Sequence, residues 1–163
     1  MSFVIEFIVS YSSSVGFAYL FGCPHKSALS SGIVGAIGWM VYRISYTYFV
    51  GLYLSVIISS YIIAVLGENF ARKFHMPASM FIIPGIANLA PGSGIYYTLS
   101  YFVQEQNGLA SNKLVETLLI AGSIAFGITL ASAGSKSLKG FKFRRPDRIK
   151  YVDSEKIEEE DKK

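Results

Sequence analysis

The chain is 163 residues long, 52% hydrophobic and 16% charged, with a mean hydropathy of +0.41. A soluble domain of this size carries roughly a quarter charged residues, so the composition excludes an ordinary water-soluble fold. The net charge of +4 does not indicate nucleic acid, because ten of the fifteen basic residues and seven of the eleven acidic ones lie in 135–163; no basic, aromatic-interleaved surface exists outside that tail.

Cys23 is the single cysteine. It leaves no intrachain disulfide and no thiolate metal cluster. His25 and His75 stand fifty residues apart, which argues against a zinc site, and no cofactor is expected. The first apolar run lacks a basic leader and carries Glu6, so it reads as a retained span rather than a cleaved signal.

A bilayer core about 30 Å thick needs roughly 20 apolar residues of helix. In chain order, five segments meet that need: Phe3–Phe21, Ser27–Tyr42, Tyr48–Leu66, Pro77–Val103 and Leu114–Ala133. The second is short, but Lys26 and Arg43 at its ends can snorkel to the interfaces. The expected fold is an all-α integral membrane protein of about five transmembrane helices, the fourth discontinuous at Pro-Gly motifs. Residues 1–134 form the membrane domain, and 135–163 a cytoplasmic tail, basic then acidic and disordered. Its basic part, next to a span, is attracted to anionic membrane lipid.

Five spans put the termini on opposite sides. With the C-terminus cytoplasmic, the inner side holds Lys26, Arg72, Lys73 and the basic tail, against Arg43 and Lys113 outside. The positive-inside rule therefore selects N-terminus outside, C-terminus cytoplasmic. Trp39, Tyr42, Tyr46 and Tyr48 cluster as an interfacial aromatic belt would. Ala28, Gly32 and Ala36, with Ser31 and Gly35 beside them, form one small-residue stripe, and Ser123, Gly127 and Ala131 another. Small residues let helix backbones approach closely, within this chain, against a partner or in a homo-oligomer.

The fourth segment carries the chemistry. Pro84 removes the N–H that would bond Met80 O, and Pro91 does the same for Ala87 O. Gly85 and Gly92 follow them and make unwinding inexpensive. Lipid tolerates a broken backbone only where it is buried in protein or lines a water-filled cavity, the geometry with which transporters build binding sites. The freed carbonyls suit an ammonium or a cation. The N–H groups of Gly92, Ser93 and Gly94 open a second half-helix whose positive end suits a carboxylate. Asn88 lies between the two pairs. Pro84, Gly85, Asn88, Pro91, Gly92, Ser93 and Gly94 are thus the candidate substrate-binding residues, with Tyr96 nearby. The competing reading is a structural kink relieved by Ser79, Ser93 or water. Glu6, Glu68 and Glu116 are expected at solvated interfaces, although any of them is a possible proton carrier. Ser59, Ser60, Tyr61, Ser123 and Thr129 either line a pathway or hydrogen-bond locally.

The order of several stretches resembles the small membrane component of the bacterial threonine/serine exporter family, equivalent to the second membrane half of its single-chain members. The matching stretches are Phe21-Gly22-Cys23-Pro24-His25-Lys26-Ser27-Ala28-Leu29, Gly35-Ala36-Ile37-Gly38-Trp39-Met40-Val41-Tyr42, Arg72-Lys73-Phe74-His75-Met76-Pro77-Ala78, Ile83-Pro84-Gly85 and Pro91-Gly92-Ser93-Gly94-Ile95-Tyr96. The resemblance covers about residues 10–134. It implies ion-gradient-driven export of small hydrophilic metabolites across the bacterial plasma membrane, threonine and serine first, with succinate the cargo associated with some two-component relatives. It also implies a larger membrane partner of the same family. A non-transporting scaffold subunit is the alternative. An enzyme is not expected, since the spans hold no Ser/His pair, no pair of Asp residues and no metal-ligand spacing.

Overall fold

The apolar runs become helices. The computed structural model describes residues 3–48 and 51–137, with the side chains of 135–137 left aside. It contains α1 (Phe3–Leu20), α2 (His25–Tyr48), α3 (Leu52–Phe74), α4 (Ser79–Ile86), a 3-10 turn (Ala87–Leu89), α5 (Gly92–Val103) and α6 (Asn107–Ser137). There is no strand among the described residues. Three helical segments, Phe3–Leu20, Leu52–Phe74 and Asn107–Gly134, are long and apolar enough to cross a membrane. The chain is a helical membrane protein. Apart from the backbone of its first three residues, the 135–163 tail lies outside the described residues.

Helix α2 is longer than the sequence suggested, continuing past Arg43 to Tyr48. Helix α3 likewise runs beyond Leu66 through Gly67-Glu68-Asn69 to Phe74. Glycine ends a helix where it takes the left-handed conformation itself; Gly67 does not, and instead packs against Ile82 of α4. The helix ends that do form have a local cause. Gly22 takes φ +70°, and the bonds Cys23 N–H to Ala18 O and Gly22 N–H to Tyr19 O, each 3.0 Å, close a Schellman cap on α1. His75 and Glu105 take the same left-handed conformation after α3 and α5, where Met76 N–H bonds Ala71 O and Gln106 N–H bonds Tyr101 O.

Register follows from close approaches. A methyl on Gly32 would meet Tyr11 and Val15, one on Gly35 would meet Ser14, and Arg43 pairs with Glu6, so α1 and α2 run antiparallel. A methyl on Gly127 would meet Ile57 O and Ser60, and Ile120 shares a cavity with Leu52 and Val56, so α3 and α6 run parallel. Both small-residue stripes are therefore used inside the chain. Helix α4 lies against α2 and α3, and α5 packs chiefly on α6.

Burial is inverted relative to a soluble protein. The buried positions are rich in Ala and Ser, including Ser14, Ser27, Ser31, Ser55, Ser59 and Ser60, while Leu20, Leu54, Leu99, Val103 and Leu118 face outward. Lipid tails are as apolar as leucine, so outward leucine costs nothing there and close packing of small residues holds the helices together. Larger residues fill the centre: Val34, Val56, Ile63, Leu89 and Ile124 form one cluster. Phe81 stacks on Phe70 and Phe74 at 6.1 and 5.9 Å between centroids.

Candidate functional site

Two cavities flank the 3-10 turn. One, of about 390 Å³, is lined by Glu6, Ser10, Ser13, Trp39 and Asn88 with apolar neighbours. The other, of about 260 Å³, lies between Trp39, Tyr42, Asn88, Pro91, Ser93 and Ile120. Asn88 and Trp39 are common to both.

Asn88 is anchored rather than loose. Its Nδ2 donates to Ser10 O at 3.0 Å and Ser14 Oγ at 2.9 Å, tying the turn to α1. A carbonyl can only accept, so the Ser10 contact fixes the amide orientation, with Oδ1 left outside both bonds.

The backbone chemistry differs from expectation at both prolines. Helix α4 runs through Pro84 and Gly85, and the chain leaves α-helical form at Ala87. Met80 O, which Pro84 deprives of its helical donor, receives the Cys23 thiol at 3.8 Å. It is therefore used for packing between α4 and the turn before α2. At the second pair, Pro91 sits at φ −79°, ψ 54°, and Gly92 N–H bonds Ala90 O at 2.8 Å, the geometry of an inverse γ-turn. Gly92 N–H is thereby spent. Ile95 N–H bonds Pro91 O, while Ala87 O receives a long bond of 3.4 Å from Ala90 N–H.

The candidate residues separate accordingly. Asn88, Pro91 and Ser93 come together at the cavities. Pro84 and Gly85 are buried in the helix interface, where a Cβ on Gly85 would lie 3.1 Å from Ile63 and 3.2 Å from Val34. Gly94 is buried against Thr117, whereas Gly92 faces open space. Tyr96 is two-thirds exposed and packs edge-on to Tyr97. Of the pathway serines and threonines, Ser60, Ser123 and Thr129 bond carbonyls of their own helices. Ser59 instead crosses to Gly38 O at 2.5 Å and joins α3 to α2. Tyr61 points outward.

A family model described as Threonine/Serine exporter, ThrE, matches residues 6–133. The chain belongs to that family. No solved structure matches it. This threonine/serine exporter family member is thus a membrane transport component, and the family affiliation speaks for transport rather than enzymatic turnover.

Several cavity residues of this exporter-family chain were not singled out as candidates from sequence. Glu6 was expected at a solvated interface; instead its side chain is only 15% exposed, and its Oε2 is buried. The detectable signal was the spacing Glu6, Ser10, Ser13 and Ser14, which places polar groups on one face of an otherwise apolar helix. Trp39 and Tyr42 were assigned to a belt; in the fold both line cavity wall, their rings tilted against each other with centroids 5.4 Å apart, while Tyr46 and Tyr48 do face outward. Trp39 lies four residues after Gly35 and so shares the face of the small-residue stripe.

Proposed function

We propose that the chain is a subunit of a secondary, ion-gradient-driven exporter of threonine and serine in the bacterial plasma membrane, working with a larger membrane component of the same family. The observation that carries this reading is the pair of cavities meeting at Asn88 inside a chain of this family. The cavity of about 390 Å³ lies within the range of small-ligand sites, roughly 300–1,000 Å³, and the one of about 260 Å³ just below it.

The same reading takes α2 and the α4–α5 segment as the fourth and fifth membrane-crossing elements beside the three long apolar ones. Helix α4 alone has eight residues and rises only ~12 Å, so crossing requires α4, the turn and α5 together. That makes the 87–91 stretch a break within one span, the arrangement transporters use at their binding sites. The N-terminus lies outside and the C-terminus in the cytoplasm. Support comes from register: Glu6 and Arg43 share one end, while Lys26, Arg72 and Lys73 sit at the other, toward which α6 also runs. Asn88, Pro91 and Ser93 shape the substrate path, with Gly92 at its open edge; Pro84, Gly85, Gly94 and Tyr96 support it through packing.

The test is efflux of labelled threonine, serine and succinate from preloaded cells that lack their own exporters. This chain, its partner, and both together are compared. Efflux of threonine and serine only with both supports the proposal. Efflux by this chain alone removes the partner, and no efflux with both proteins present in the membrane refutes the transport reading.

A further inference from the structure

We propose that Glu6 is the ammonium-recognising group of this path, selecting amino-acid zwitterions over dicarboxylates; this rests on the exporter reading above and names its substrate class. Glu6 Oε2 is the one buried side-chain nitrogen or oxygen without a hydrogen-bond partner among the described residues. It is not without a counter-charge, because Arg43 Nε lies 3.4 Å away, in ion-pair range but without hydrogen-bond geometry. The carboxylate is thus neutralised in charge and unsatisfied as an acceptor. A buried acceptor in that condition carries a standing desolvation cost, larger for a charged group, that an arriving donor relieves.

The neighbouring polar groups are already committed. Ser10 Oγ donates to Phe7 O at 3.2 Å, and the bonds of Asn88 to Ser10 O and Ser14 Oγ use its Nδ2. What these groups offer the cavity is acceptors, namely the Glu6 carboxylate and Asn88 Oδ1, with the Ser13 hydroxyl able to serve either way. The complementary ligand brings donors and positive charge. An ammonium supplies three N–H donors on one centre. A dicarboxylate supplies none and sets like charge against Glu6. The zwitterion is neutral overall, as is the Glu6–Arg43 pair, so its entry adds no net charge to the site. Arg43 is half exposed and outside the cavity wall, where it can follow the solute's carboxylate.

Trp39 is the single tryptophan and borders both cavities, which makes the full chain its own reporter. The experiment is a fluorescence titration of the full chain in lipid nanodiscs with threonine, with 3-hydroxybutyrate (threonine without its amine) and with succinate. The native chain is expected to respond to threonine at least about tenfold more tightly than to either amine-free solute, ~1.4 kcal/mol or more. Glu6→Gln should lose that preference, while Glu6→Asp, with the charge kept but withdrawn by one methylene, should weaken threonine by a smaller factor. Should Glu6→Gln not fold, as judged by circular dichroism, the Glu6→Asp titration and the solute preference of the native chain decide. Unchanged threonine affinity in a folded Glu6→Gln overturns the role of Glu6 but leaves the cavity reading standing, even if that variant has lost efflux as a proton carrier would. Equal affinity for succinate overturns the selectivity. No response to any solute overturns both the cavity as a binding site and the proposal built on it.

Discussion

Asn88 offers the sharpest test of how the site is held. Asn88→Ala removes both bonds from the 3-10 turn to α1. Polar bonds between helices in membrane proteins average about 0.6 kcal/mol and reach about 1.7, so the pair is worth about 1–3 kcal/mol. Asn88→Asp keeps the shape but replaces a donor 3.0 Å from Ser10 O with a carboxylate oxygen. To the lost bonds it adds the cost of an ionised carboxylate within the membrane, about 2.5–3.5 kcal/mol at full depth on insertion scales. The total at neutral pH is therefore about 3.5–6.5 kcal/mol at full depth, more than for alanine. The pH dependence has a definite sign. The ionised form carries the membrane cost and the neutral acid does not, so the deficit is relieved toward acid and grows as pH rises. The protonated side chain can again donate to Ser10 O. The assay is unfolding in mixed detergent micelles at increasing SDS fraction, followed by helical circular dichroism at pH 4.5 and 7.5. An Asn88→Asp protein as stable as the native chain at pH 7.5, or more stable than Asn88→Ala there, refutes the anchoring role.

Three further outcomes are expected. Gly92→Leu should insert and fold normally, because a side chain there meets open space, yet lose efflux; Gly94→Leu should instead lose about 1–3 kcal/mol of stability by running into Thr117, measured by the same SDS titration. Normal efflux by an inserted Gly92→Leu protein would remove position 92 from the path. Gly127→Leu should separate α6 from α3, at a cost of about 1–3 kcal/mol, because its Cβ would lie 2.6 Å from the immobile Ile57 O; Gly122→Leu, with open space, should stay within about 0.5 kcal/mol of native. Burial pushes the Cys23 thiol up from its usual 9.0, which depletes thiolate at neutral pH. Maleimide labelling at pH 7.5 should therefore be about tenfold or more slower than for free cysteine, accelerate with rising pH, and become fast once SDS unfolds the chain.

Membrane character and helical class were legible in sequence, since hydropathy and helix length are local properties that need no neighbours. The small-residue stripes were legible too, because helical spacing alone places Ala28, Gly32 and Ala36 on one face. What those stripes touch was not: Gly32 and Gly35 meet α1 and Gly127 meets α3, which only the fold brings together. The two prolines show the division most clearly. Sequence establishes that each removes a backbone donor. Tertiary structure decides that Met80 O is claimed by Cys23, fifty-seven residues earlier, and that Gly92 N–H closes a γ-turn instead of facing a ligand. Glu6 follows the same logic. A carboxylate near the start of an apolar helix has no intrinsic depth or partner. Its burial, its pairing with Arg43 and its place in the wall beside Asn88 come from the antiparallel contact of α1 with α2 and from the turn that α1 holds in place.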